Sequence, residues 1–284
     1  MERMDKNIVK RAVPNRPDNA NKGTMGTLLS VCGSFGMAGA AILAGKSALR
    51  CGVGLEKLAI PKSIYPIAAG SILESVFLPL SETSDGKISR TNIPRLLLEA
   101  KKSTAVLLGC GLSVCDDTKA LVKSFVENCT VPMVLDADAL NCIADNPEIL
   151  KKRKSDIIIT PHPGEMGRLC GITAKEVNAD RVDVALSFAK KYGVITVLKG
   201  SGTIIASPNG QALLNTNGNS GMATAGSGDV LSGILTALVG RGCDPDIAAP
   251  LAAYLHGEAG DRAMERLGPD YMNASDIIKG LSFE

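Results

Sequence analysis

Asn217-Gly218-Asn219-Ser220-Gly221-Met222-Ala223-Thr224-Ala225-Gly226-Ser227-Gly228-Asp229 runs without a break into the apolar pattern Val230-Leu231-Ser232-Gly233-Ile234-Leu235. Glycines let main-chain amides come close to a ligand, and the free amides at a helix N-terminus favour a phosphate or a developing oxyanion. The stretch therefore predicts an anion hole at the mouth of a helix. Asp229 falls in the first turn, where the helix dipole stabilises its ionised form and where it can take a proton from a hydroxyl group. A simple capping role for Asp229 is an equal alternative.

Outward from this segment, short β-rich apolar runs recur at 27–32, 55–60, 105–109, 132–136, 156–160, 194–198 and 203–207. Helical periodicity fills most of the gaps, at 36–51, 93–102, 116–128, 139–145, 175–192, 230–239 and 246–266. Continuous apolar strands separated by helices predict parallel strands buried on both faces, hence an α/β fold: a three-layer α/β/α sandwich around a mainly parallel sheet. Ligands of such sheets bind beyond the carboxyl ends of the strands. No repeat or internal linker is evident, so the expected organisation is a polar extension over 1–21 and a single domain over 22–284.

The remaining segments with chemical character follow strands. Lys199-Gly200-Ser201-Gly202-Thr203 joins two strand patterns and offers an ammonium and two hydroxyls on a glycine loop, suited to phosphate or ribose, or else a plain hairpin turn. Pro161 and Pro163 restrain the backbone on either side of His162, whose alternative is a hydrogen bond to a neighbouring main-chain group. Asp136 and Asp138 could organise water or magnesium, or Asp138 could cap the next helix. His256, in a helical pattern without a chemical companion, reads as structural. Gly39 through Gly45-Lys46-Ser47 imitates a phosphate loop but is one residue too long.

Composition narrows the function classes. Lys and Arg number 31 against 29 Asp and Glu, interspersed, and aromatics are 3% with no Trp. No basic field and no stacking surface point to nucleic acid, and no apolar run approaches the roughly 20 residues that span a bilayer. The basic cluster 151–154 reads as a solvated helix end. Eight cysteines lie scattered at 32, 51, 110, 115, 129, 142, 170 and 243 without a CxxC pair, and the first twenty residues lack a signal-like apolar core. Reduced thiols and a cytoplasmic location are expected.

Gly226-Ser227-Gly228-Asp229 resembles the GxGD signature of the ribokinase-like superfamily, and 217–233 as a whole closely resembles the carbohydrate-kinase-like, ADP/ATP-dependent NAD(P)H-hydrate dehydratase family. Further segments resemble that family in order: Gly33–Ala41, Gly109-Cys110-Gly111-Leu112 with Cys110 in place of a proline, Asp136-Ala137-Asp138-Ala139-Leu140-Asn141, and Thr160-Pro161-His162-Pro163-Gly164-Glu165. The resemblance covers almost all of 22–281. It implies Asp229 as catalytic base; Ala40, Gly111, His162 and Asp229 as contacts to hydrated NADH or NADPH (NADHX, NADPHX); and Lys199–Thr203 with Gly226, Ser227 and Gly228 as nucleotide contacts. Asn141, Glu165, Asn217 and Asn219 are possible additional contacts.

The same resemblance implies a hydro-lyase that uses ADP, or ATP, as phosphoryl donor with Mg2+, and a homo-oligomer, with a tetramer as the suggested form. Many bacterial relatives carry a fused N-terminal epimerase domain, for which this chain leaves no room; epimerisation is expected elsewhere or spontaneously. Two other readings stand beside it: a ribokinase-like kinase of a vitamin-precursor alcohol of the hydroxymethylpyrimidine or hydroxyethylthiazole type, and a non-catalytic nucleotide sensor.

Overall fold

Runs such as Ala-Val-Leu-Leu and Ile-Ile-Ile carry apolar side chains on both faces, so they are stable only between two layers of helices. The computed structural model of the chain describes residues 15–282 and the short strand Glu2–Arg3, and it places those runs at the centre of a ten-stranded sheet. The strands are β1 (Glu2–Arg3), β2 (Thr27–Val31), β3 (Leu55–Pro61), β4 (Val76–Leu80), β5 (Ala105–Leu108), β6 (Met133–Leu135), β7 (Ile157–Ile159), β8 (Ile195–Leu198), β9 (Thr203–Ala206) and β10 (Ala212–Asn215). Their spatial order is β1-β10-β9-β8-β7-β6-β5-β2-β3-β4.

From β4 to β8 every neighbouring pair is parallel, whereas β8, β9 and β10 form an antiparallel meander. The expected parallel core is therefore present, with an antiparallel margin that short hairpin loops make possible.

The helices are α1 (Ala38–Arg50), α2 (Tyr65–Ala69), α3 (Ile93–Ala100), α4 (Asp116–Asn128), α5 (Asp138–Ile143), α6 (Pro163–Cys170), α7 (Ala174–Ala179), α8 (Arg181–Tyr192), α9 (Ser227–Gly240), α10 (Pro245–Leu267) and α11 (Ala274–Gly280). Alternate strand residues separate two cores. Ala105 and Leu107 join Ala41, Ile234 and Leu251 from α1, α9 and α10, while Val106 and Leu108 join Leu96, Phe125 and Phe188 from α3, α4 and α8. This is the three-layer sandwich expected from the sequence.

Local departures have local causes. The single helix expected over 175–192 is broken at Asp180 (φ −148°, ψ 65°), whose carboxylate accepts from the amide of Asp183 and starts α8. A helix replaces the stiff loop expected after His162, because Pro163 occupies its first turn, where no amide is needed. The strands β4 and β10 were not apparent in the sequence; β4 contains Pro79, tolerated because β4 lies at the sheet edge. Of the polar extension over 1–21, residues 1 and 4–14 lie outside the described residues.

The chain reverses its direction of strand addition between β2 and β5: β3 and β4 lie to one side of that pair, β6, β7 and β8 to the other. In open α/β sheets ligands bind beyond the carboxyl ends of the strands, where the strand order switches. Cys32-Gly33-Ser34 and Gly109-Cys110-Gly111 follow β2 and β5 at that place.

Candidate functional site

The site is built around a buried ion pair. Asp136, 1% exposed at the end of β6, accepts from Lys199 Nζ at 2.7 Å and from Ser232 Oγ at 2.8 Å. Burial pushes the Asp136 carboxyl upward, but Lys199 with the hydroxyls of Ser232 and Thr160 outweighs that and holds it below its ordinary value. Lys199 ends above its own ordinary value: burial works against its charge, and Asp136 and Glu165 overcome burial. Its ammonium lies 3.8 Å from Glu165 Oε2. Lys199, expected as a direct nucleotide contact, thus also anchors its loop to the strand ends.

The N-terminus of α9 stands directly over this pair. Gly226 caps it at φ +89°, and a methyl group at Gly228 would lie 3.3 Å from Lys199 Nζ. Asp229, in the first turn, has its carboxyl pushed up to about 6, first by burial and then by the nearby charge of Asp136; Cys110 and Lys199 pull it back. One ligating atom each of Cys110, Asp136 and Asp229 lies within 4.8 Å of the others. A thiol suits magnesium poorly and Asp136 is engaged by Lys199, so these side chains make no all-oxygen cage.

Two sets of residues flank Asp229. On one side the loop Lys199–Thr203, with Asn215 to Ser220, Ser227, Gly228 and His256, lines a cavity of about 640 Å³. The expected nucleotide residues are thereby brought together, apart from Gly226, which caps the adjoining helix. Asn217 lines the cavity too. The carboxamide of Asn219, also on the cavity wall, accepts from Gly221 N and donates to Asp261, so it fastens its own loop.

On the other side, a methyl group at Gly111 (φ +64°) would lie 2.9 Å from Ala40 Cβ, which brings the ends of β5 and α1 into contact. A polar chain continues outward: Asp138 accepts from Ser113 N at 2.8 Å and from Asn141 Nδ2 at 3.1 Å, and Asn141 Oδ1 accepts from Arg168 Nε at 2.9 Å. Ala137, between the two aspartates, has φ 48° and ψ −116°, a rare backbone for an L-residue and of the strained kind found at functional sites.

His162 reaches this side from the N-cap of α6. Its Nδ1 accepts from Gly164 N at 3.0 Å, while Glu165 Oε2 accepts from His162 N at 2.8 Å. The imidazole is held below its ordinary value by burial and by Lys199 and Arg168, so at neutral pH it is uncharged, with its proton on Nε2. Burial raises Glu165, whose oxygens bridge His162 and Lys199. His162 thus caps the helix, as its plainer reading has it, while half of its side chain stays exposed.

Two features escaped the sequence. Asp136 and Lys199 were singled out separately, but their pairing spans 63 positions. His256, read as structural, lines the cavity with its Nε2 3.3 Å from Ser227 Oγ; the helical pattern around it carried no sign of that neighbour. Elsewhere the plainer readings stand. Lys151 and Lys152 pair with Glu148 and Glu127 at the surface, and six of the eight cysteines are buried, with Cys115 partly covered and Cys170 exposed. Among the described residues no helix is long and apolar enough to cross a membrane.

Residues 28–282 match the family model of NAD(P)H-hydrate dehydratase. The chain is 42% identical over 271 residues to the bifunctional NAD(P)H-hydrate repair enzyme of Moorella thermoacetica, covering 95% of this chain and 51% of that relative. It is 36% identical over 256 residues to the ADP-dependent (S)-NAD(P)H-hydrate dehydratase of Neisseria meningitidis serogroup B, covering 89% and 82%. The chain thus spans about half the length of the bifunctional relatives. In structure it is similar to the ADP/ATP-dependent NAD(P)H-hydrate dehydratase of Bacillus subtilis co-crystallized with ATP and Mg2+. The TM-score is 0.83 at 29% identity, with 99% of this chain and 96% of that one covered.

Proposed function

The chain belongs to the NAD(P)H-hydrate dehydratase family, and we propose that it dehydrates (6S)-NADHX and NADPHX to NADH and NADPH while converting ADP to AMP and phosphate. The observation that carries this reading is Asp229, its carboxyl raised to about 6, directly after the cavity-lining Ser227 and Gly228 and within 4.8 Å of Cys110 and Asp136.

In the proposed reaction Asp229 takes the proton of the hydroxyl on the hydrated nicotinamide ring, and that oxygen attacks the terminal phosphorus of ADP, releasing AMP. A carboxylate with a pKa near 6 is ionised at neutral pH yet basic enough to hold the proton it removes. The amides at the start of α9 accept the charge that develops on the phosphoryl oxygens. Phosphate then leaves with the ring oxygen as the ring nitrogen donates electrons, and loss of a proton from the adjacent ring carbon to solvent restores the reduced cofactor.

His162, Gly111 and Ala40 hold the hydrate; Lys199–Thr203, Gly226, Ser227 and Gly228 hold the nucleotide, with Asn217 beside them. Asn141 and Glu165 act by positioning Arg168 and His162, and Asn219 by fixing its loop. Magnesium, when bound with the nucleotide, neutralises phosphate charge. ADP as donor is supported by the names of the Neisseria meningitidis relative and of the Bacillus subtilis enzyme. A single domain over 22–284, a homo-oligomer and a cytoplasmic location complete the proposal.

The test is incubation with NADHX, Mg2+ and ADP or ATP, following reduced-cofactor absorbance and phosphate release. Recovery of NADH with stoichiometric phosphate is expected, and Asp229→Asn should retain nucleotide binding while losing roughly 10²–10⁴-fold in turnover. A stable phosphorylated alcohol would indicate a kinase instead, and nucleotide binding without turnover a sensor.

A further inference from the structure

Ala253, His256 and Gly257 of α10 line the cavity together with the Lys199 loop, and α10 also fastens the loop that holds Asn217 to Asn219. Asp261 accepts from Gly218 N at 3.0 Å and from Asn219 Nδ2 at 2.9 Å, and a methyl group at Gly257 would lie 2.7 Å from Asn217 Cβ. Next to Gly257, His256 Nε2 stands 3.3 Å from the hydroxyl of Ser227, the first residue of α9. Ser227 and His256 both line the cavity.

A serine hydroxyl has a single proton. Were Ser227 to give it to the imidazole, the lone pairs of Oγ would face the cavity, where an anionic phosphate also offers only lone pairs. Were the imidazole to supply the proton, that of Ser227 would be free to point at the ligand. The second arrangement is the one that leaves the cavity a donor for an anionic ligand. Burial, with Lys199 nearby, lowers the His256 imidazole to about 4, so it carries one proton and no charge at neutral pH.

We infer that His256 is a positioning residue: its neutral imidazole keeps the proton on Nε2, donates it to Ser227 Oγ, and thereby turns the Ser227 hydroxyl toward the nucleotide phosphate. The inference rests on the cavity being the nucleotide site. It assigns α10 a part in nucleotide recognition, exerted through the Ser227 hydroxyl.

Calorimetric titration of the full chain with ADP and Mg2+ tests it. His256→Ala and Ser227→Ala should each weaken ADP by about tenfold, the scale of one hydrogen bond to a charged group. The double variant should be no weaker than either single one, because both remove the same proton from the cavity. His256→Gln, with a carboxamide donor, should recover most of the affinity, and KM for the hydrate should stay unchanged throughout.

Unchanged ADP affinity in His256→Ala, or fully additive losses, would overturn the inference. Nitrogen NMR of the wild type needs no variant to fold. The chain has two histidines, and the Nε2 signal of His256 should be of the protonated, pyrrole type; a bare pyridine-type Nε2 would overturn the proposal. Failure of the wild type to bind ADP at all would refute the nucleotide reading itself, and this inference with it.

Discussion

Asp229 and His162 were legible because their chemistry is local: a carboxylate in the first turn after a glycine run, and an imidazole between two prolines. Their partners were not, since the contacts of Lys199 with Asp136 and of His256 with Ser227 exist only once the sheet and α10 are assembled. The Asp229 carboxyl at about 6 sets a pH limb. A base acts only when ionised, so kcat/KM should fall tenfold per pH unit as pH drops below about 6 and level off above it. A limb near 4, the ordinary range of an aspartate, would show that the Asp229 carboxyl is not raised in the working enzyme. Lys199→Met should leave Asp136 as an unpaired buried charge, lowering stability by about 3–5 kcal/mol in urea titration. A change within error would mean that Asp136 finds another partner.

Among the elements, α9 and α1 form the tightest joint of the core, and both were read from their periodicity. The reason for their small residues lies in the joint itself: a methyl group at Gly233 would lie 2.2 Å from Ala44 O and 2.0 Å from Ser47 Oγ. No rotamer relieves a clash with a main-chain oxygen, so the helices must separate. Gly233→Ala should therefore cost about 1–3 kcal/mol, seen as a lower urea midpoint with an unchanged slope. Because α9 also carries Ser227 to Asp229, weaker nucleotide binding should accompany the loss; full activity with full stability would mean that the joint is looser than drawn. The elements that escaped the sequence are short or marginal. The strand β10 is Ala-Leu-Leu-Asn, without a β-branched residue, β4 carries a proline, and α6 begins on one. In each, tertiary pairing or capping overrides a weak local preference.

At the scale of the whole molecule, alternation of strands and helices announced the layers but not the neighbours, because local patterns carry no record of which strand lies beside which. The switch between β2 and β5 is therefore a finding of the structure, and a carboxyl group lies deep in the sheet beside it. Glu56 on β3 is fully buried, and among the described residues neither of its oxygens has a hydrogen-bond partner. Ser30 on β2 draws its carboxyl down only slightly, and burial dominates, lifting it from 4.5 to about 7. Between those values the folded chain holds a proton that the unfolded chain has released, so stability falls as pH rises through the window and stays reduced above it. The span corresponds to about 3 kcal/mol. Asp229 acts in the same direction and His256, lowered to about 4, in the opposite one, but both cancel when wild type is compared with Glu56→Gln. Glu56→Gln keeps the shape without the ionisation. It should match the wild type in stability near pH 5 and exceed it by about 1–3 kcal/mol at pH 8, measured by urea unfolding at both values. An equal difference at the two pH values would show that the Glu56 carboxyl does not titrate between them in the folded chain.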